Sequence, residues 1–250
     1  MLIKCDLHIH SALSPCAEND MTPGNIVGMS CINGLDVIAI TDHQTCGNVR
    51  SAITAANRLY TSEKKKIVVI PGMEIECQEG FHLLALFPDV QTAEDFEKEL
   101  SNTRLTVKNR PEIFGRQILF DEDDNEKGEV EGLLLTACEW SSNQIASEIL
   151  ALGGLVIPAH IDRDSYSILI HLGAFPPEYP VRAFELSKGC DLSVFFEKHP
   201  DLKHLPYVMN SDAHRLEDIS DGFVIDVPSI SEDTLDSNHV LQALREKMMK

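Results

Sequence analysis

Leu2-Ile3-Lys4-Cys5-Asp6-Leu7-His8-Ile9-His10 decides the fold: a short strand-like run ends by delivering two histidines two residues apart. Such residues share one face of a strand, so His8 and His10 can grip a single ion together. Alone, an HxH pair carries little weight. The same kind of ending recurs at Thr41-Asp42-His43, Gly72-Met73-Glu74, Phe81-His82, Pro158-Ala159-His160 and Ser211-Asp212-Ala213-His214. Imidazole and carboxylate together suit Zn, Mn and Fe, and these donors outnumber what one tetrahedral ion can use. Burying them all without compensation would be costly. The pattern points to one multinuclear metal site built from many strand ends.

Outward from the first strand, the chain alternates. A helix is expected from Thr22, whose hydroxyl can cap it while Pro23 takes the first helical position. A continuous apolar strand over 35–40 follows, then a helical stripe of Val49, Ile53, Ala56 and Tyr60. Strands are expected over 67–70, extending toward Glu74, and over 82–87. After Lys98 the alternation breaks, and Asp121-Glu122-Asp123-Asp124-Asn125-Glu126-Lys127-Gly128 reads as an exposed hairpin or a solvated connection. It resumes with helices over 145–152, 166–172 and 192–198, strands over 155–157, 181–186, 207–209 and 223–227, and a last helix over 231–247. Repeated strand-helix units imply an α/β fold of parallel strands joined by right-handed crossovers. In barrels of this kind functional residues gather at the C-terminal ends of the strands, where His8, His10, Asp42, His43, Glu74, His160, Asp212 and His214 fall. One domain over 1–250, with an insertion at about 88–143, accounts for the pattern.

Composition bounds the function. The chain of 250 residues is 43% apolar, enough for a substantial core. A formal charge of −19 argues against an extended nucleic-acid surface, so an anionic substrate must be held near the metals. No stretch approaches the roughly 20 apolar residues of a membrane span. The N-terminal residues lack signal-peptide character, and the seven cysteines are odd in number without CxxC spacing. A cytoplasmic protein with reduced thiols and no membrane partner is expected.

Taken together, Asp6-Leu7-His8-Ile9-His10-Ser11, Ile40-Thr41-Asp42-His43, Gly72-Met73-Glu74-Ile75, His82, Ala159-His160 and Asn210-Ser211-Asp212-Ala213-His214 resemble the polymerase-and-histidinol-phosphatase (PHP) domain family of metal-dependent phosphoesterases. The resemblance spans nearly the whole chain. It implies a distorted (β/α)7 barrel holding two or three divalent ions, Zn, Mn or Fe. It further implies that His8, His10, Glu74 and Asp212 hold the first ion, and that Glu74 bridges to a second bound by His82 and His160. A third would use His43, His214 and a residue soon after Ser14. The family pattern often has Asp or His where this chain has Pro15 or Cys16, so Cys16 is the leading substitute and Glu18 and Asp20 are rivals. A thiolate with two imidazoles favours zinc.

The chemistry implied is attack of a metal-activated hydroxide on phosphorus, with clustered cations stabilising the phosphoryl oxygens. Asp212 or an unligated imidazole is the candidate acid-base group. Arg163 is a candidate phosphate fork, as weighty as a surface salt bridge; Arg215 is weaker, and Arg110 and Arg116 can reach in from the insertion. Asp6 and Asp42 are read as orienting ligand imidazoles. His171, His199, His204 and His239 read as structural or surface groups, and Trp140 as a packing residue. The leading substrate is a small phosphorylated metabolite, a nucleotide or the end of a short oligonucleotide. The alternatives are a histidinol-phosphatase-like phosphomonoesterase and a non-catalytic metal-binding regulatory module.

Overall fold

The computed structural model describes residues 1–227 and 234–248. Its centre is a curled six-stranded sheet flanked by helices. The strands that position the site are β1 (Leu2–Ile9), β2 (Val37–Ile40), β3 (Val68–Glu76), β4 (His82–Leu86) and β7 (Leu155–Pro158), with β10 (Phe223–Asp226) on the outer edge. Their order is β10-β1-β2-β3-β4-β7. β2 and β7 are buried along their whole length, as expected of strands covered on both faces.

Two features depart from uniform parallel alternation. β3 and β4 form an antiparallel hairpin, with Glu76 opposite His82 and Gly72 opposite Leu86, and β4 also runs antiparallel to β7. The hairpin explains why His82 starts its strand yet lies at the same end of the sheet as residues that finish theirs. The last segment, β10, pairs antiparallel with β1 instead of extending the parallel series.

β8 (Phe184–Ser187) and β9 (Tyr207–Asn210) form a separate parallel pair. That pair lies between the ends of the large sheet. The Ile161 amide donates to the Glu185 carbonyl beyond β7, while beyond β9 the His10 amide donates to Ala213 O and the Ala213 amide to His8 O. The chain therefore curls so that the C-terminal end of β1 faces the segment after β9.

Most helices follow their sequence signals. α1 (Pro23–Ile32) begins with Thr22 accepting from the Asn25 amide and proline in the first turn. α2 (Val49–Glu63) buries Val49, Ala52 and Ala56, while Tyr60 at the end of the expected stripe is exposed. The helix has rolled by about one residue, burying Ala52 in place of Ile53. α5 (Ser142–Ala151) is capped by Ser141, and Glu79 in the β3–β4 turn accepts from both the amide and hydroxyl of Ser142. α6 (Ile168–Leu172) starts two residues later than expected, after Tyr166 in a left-handed backbone conformation. α7 is Leu192–Lys198; α8 is Ser237–Met248, and the expected helical residues 231–233 lie outside the described residues.

Residues 88–143 contain α3 (Val90–Ser101), the short α4 (Pro111–Phe114) and a hairpin of β5 (Ile118–Phe120) and β6 (Glu126–Glu129). The acidic run is more than a solvated connection. Asp124 accepts from the Thr22 hydroxyl and the Gly24 amide at the start of α1, and Arg58 binds Asp123. The segment also packs on the site side: the Ile118 amide donates to Ala12 O, and Asn48 bridges Ser11 Oγ, Ile118 O and the Phe120 amide.

Gly115 presses this segment onto the loop that carries Cys16. Its φ is +100°, and a Cβ there would lie 1.9 Å from the Pro15 carbonyl oxygen. Gly115→Ala is expected to lower unfolding free energy by about 1–3 kcal/mol in denaturant titration. Gly132→Ala, with no atom within 4 Å of the added Cβ, should change it by no more than about 0.5 kcal/mol.

Candidate metal centre

Glu74, inside β3 and buried, is the centre of the cluster. Five imidazole nitrogens surround its carboxylate: His8 Nε2 at 3.4 Å, His10 Nε2 at 3.3 Å, His43 Nδ1 at 3.1 Å, His82 Nδ1 at 2.8 Å and His160 Nε2 at 3.0 Å. Asp212 Oδ1 joins from the segment after β9, 3.2 Å from His8 Nε2 and 3.1 Å from His10 Nε2. The sixth imidazole, His214, is 3.6 Å from the same oxygen and has Cys16 Sγ 3.2 Å from its Nε2. Of the three candidates from that loop, Glu18 turns to Arg215 at 3.0 Å, Asp20 is exposed, and Cys16 reaches the His214 imidazole.

The hydrogen-bond pattern tests whether these residues fit cations. Glu185 Oε1 lies 3.0 Å from His8 Nδ1; a carboxylate accepts only, so Nδ1–H donates and the Nε2 lone pair faces inward. Ser14 Oγ gives its one proton to Asp42 Oδ1 at 2.7 Å and so accepts from His10 Nδ1 at 2.8 Å, turning that Nε2 inward too. The two Nε2 atoms then stand 3.1 Å apart beside Glu74 and Asp212, whose buried Oδ1 has no hydrogen-bond donor. Two imidazole nitrogens and two carboxylates thus converge on one space. Divalent ions fit such a donor set, and the groupings His8–His10–Glu74, His43–Glu74–His82 and His10–His43–His214 each bring ligand atoms within 4.8 Å of one another.

Protonation follows the same logic. Burial disfavours charge on His10, yet the adjoining Asp212 and Glu74 carboxylates outweigh it and raise its pKa to about 9. His8 is likewise raised well above the ordinary histidine range: burial opposes this, and Asp212, Glu185 and Glu74 overcome it. Without a metal, protons neutralise the carboxylates. Burial and the neighbouring His10 charge lower His214 to about 4, leaving its imidazole neutral. His160 and Asp212 hold left-handed backbone angles, φ +30° and +51°, strained for residues with side chains.

The expected ligands therefore converge, with two differences from the implied partition. His43 lies between groupings, belonging to both the Glu74–His82 set and the His10–His214 set, and His10 is likewise shared. Arg163 donates to Asp212 Oδ2 at 2.5 Å and to Ser187 Oγ at 3.1 Å, so one Asp212 oxygen is engaged by a guanidinium. Arg116 does not reach in: it binds Glu126 and Glu129 on the β5–β6 hairpin, and Arg110 lies over Phe114. Asp42 acts on His10 through Ser14, and Asp6 accepts backbone amides of His8 and Ser211 instead of an imidazole.

Sequence reading missed Glu185, the residue that organises one side of the site. Besides His8 it accepts from Asn210 Nδ2 at 2.7 Å and the His160 amide at 2.9 Å. Its signal was a single carboxylate inside the apolar run Ala183-Phe184-Glu185-Leu186. Glu76 was also missed, and with Leu135, Ser165 and Tyr166 it lines a cavity of about 260 Å³ beside the histidines.

No protein-family model and no curated protein matches the chain. Solved structures do match in fold. The lesion-specific endonuclease Q from Pyrococcus furiosus superposes over 100% of this chain with a TM-score of 0.64 at 17% identity; the chain spans 58% of that protein's length. A proposed metal-dependent phosphoesterase from Bifidobacterium adolescentis aligns with 96% of this chain and 95% of its own, TM-score 0.51, 18% identity. An amidohydrolase from Chromobacterium violaceum, solved with bound sulfate and no metal, aligns over 90% and 92% of the two chains, TM-score 0.52, 18% identity. At these identities the likeness is one of fold.

Glu185→Gln keeps the side chain's size and removes its charge behind His8. Metal affinity, read by competition with a chelating dye, should fall about 10–100-fold while the protein stays folded. Unchanged affinity would remove Glu185 from the centre's support.

Proposed function

We propose that the chain is a metal-dependent phosphoesterase of the PHP type, a single distorted (β/α)7 barrel with the segment at about 88–143 inserted beside its site. It acts on a small phosphorylated metabolite, a nucleotide or the end of a short oligonucleotide. The observation that carries this reading is the inward convergence of His8 and His10 lone pairs on Glu74 and Asp212, beside a cavity walled by Arg163.

In this reading His8, His10, Glu74 and Asp212 would hold one ion, Glu74, His82 and His160 a second, and His43, His214 and Cys16 a third. Bound divalent ions lower the pKa of water toward neutrality and offset charge on phosphoryl oxygens. The chain's own groups do the positioning. Glu185 and the Ser14–Asp42 relay fix the tautomers of His8 and His10. Arg163, held at the cavity wall by Asp212 and Ser187, directs a guanidinium at the space a phosphoryl oxygen would take. The short space suits a small ester or a chain end: about 260 Å³ is slightly below the roughly 300–1,000 Å³ usual for small-ligand clefts.

Likeness to endonuclease Q brings duplex DNA in as a second reading, because another structure of that protein holds a 27-mer duplex with an abasic lesion at its active site. A charge of −19 argues against gripping a long duplex with this chain alone.

Metal-stripped protein reconstituted with Mn or Zn is expected to hydrolyse p-nitrophenyl phosphate. His8→Ala, Glu74→Ala and Asp212→Ala should each reduce that rate more than about 100-fold. Full activity and metal content in Glu74→Ala would remove it as the bridge. Cys16→Ser should lower metal stoichiometry at one site by elemental analysis and shift preference away from zinc, with Glu18→Ala unchanged. The reverse result would assign the ligand to Glu18.

A further inference from the structure

Tyr166 has no part in the assignments above, yet it stands at the cavity in an unusual state. Its backbone is left-handed at φ +53°, an outlier for a bulky side chain. One face of the ring stacks on His82, with centroids 4.4 Å apart and planes 18° from parallel. The residue lines the cavity and is 46% exposed. Its carbonyl accepts from the His82 amide at 3.0 Å, which fixes the residue beside the centre. An aromatic ring with one face covered and the remainder open is a platform for a second ring.

The neighbours say what that ring is attached to. Arg163 lies three residues earlier on the same loop and is the one guanidinium or ammonium lining the cavity among the described residues. Leu135 supplies an apolar wall. We propose that Tyr166 is a stacking subsite that selects phosphate monoesters carrying a planar aromatic group, with the phosphoryl group at the histidines and Arg163. This rests on the phosphoesterase reading and narrows its substrate class. Tyr166 acts as a specificity-determining residue and takes no part in bond breaking.

Adenosine 5′-monophosphate and glycerol 3-phosphate separate the platform from the phosphate site. Both would be titrated calorimetrically into the metal-reconstituted full chain, with hydrolysis of each followed separately. Wild type should bind adenosine monophosphate at least about 10-fold more tightly than glycerol phosphate, in line with the usual worth of base–aromatic stacking. Tyr166→Gly, whose backbone suits φ +53°, and Tyr166→Leu, which keeps apolar bulk, should both lose that preference. Glycerol phosphate binding and metal content should hold, and Tyr166→Phe should behave as wild type. No preference in wild type, binding of neither ligand, or preference intact in both ringless variants would overturn the subsite. Equal loss for both ligands with reduced metal content would overturn it too, and would assign the ring to holding His82. Preference without hydrolysis of any ester would reject the phosphoesterase reading and keep the subsite; hydrolysis without preference would do the opposite.

Discussion

The constraint on which the structure turns is the meeting of His8 Nε2, His10 Nε2, Glu74 and Asp212 in a buried space where each presents an electron pair. Such groups repel unless a positive charge sits among them, and in a low-dielectric interior that repulsion is much stronger than in water. Protons can supply part of that charge, as the raised pKa values of His8 and His10 show. They do it poorly, because each proton serves one nitrogen or oxygen, whereas a divalent ion serves four or more donors at once. The donor set thus favours metal over water or protons by construction.

Much of the surrounding architecture keeps those donors from relaxing apart. His160 and Asp212 stay in left-handed conformations that cost of order 1–3 kcal/mol each. The His160 amide is held by Glu185, and the amides on either side of Asp212 by Asp6 and His8 O. The β3–β4 hairpin sets Glu76 opposite His82, which brings Glu74 and His82 to one end of the sheet without a crossover helix between them. These devices act on different strands yet converge on the same few ångströms. Loss of one should loosen donors contributed by others, so effects of substitutions here will not add.

The sequence was legible where chemistry and position coincide. Histidines and acids that close apolar runs are read directly, because strand ends are where a side chain is both rigidly held and free to reach a site. Supporting residues are harder to see. Glu185 looks like an ordinary strand residue until its neighbours from β1, β7 and β9 are known, and Ser14 is one hydroxyl in a polar loop. Direction was equally hidden: the strand over 82–87 was legible, but strand-helix alternation implied a parallel series, whereas the short connection Cys77-Gln78-Glu79-Gly80-Phe81 folds it back antiparallel. Arg116 illustrates a third limit. Its charge suggested reach toward an anion, whereas two glutamates on its own hairpin hold it in place.

Charge sets the condition under which so acidic a chain would take the proposed anionic ester. The cavity is lined by Glu74, Glu76 and Asp212 with Arg163 as its one guanidinium, and protons on His8 and His10 offset only part of that acidity. Two divalent ions would add about four positive charges within a few ångströms, inside the roughly 8–10 Å over which salt leaves interactions unscreened. The sign of the local field then reverses while the outer surface stays negative. Substrate affinity becomes conditional on metal loading, and long polyanions, whose charges extend beyond that distance, remain disfavoured. A compact phosphate monoester would meet only the reversed field, which is the electrostatic argument that joins the centre and the small cavity in the proposed function.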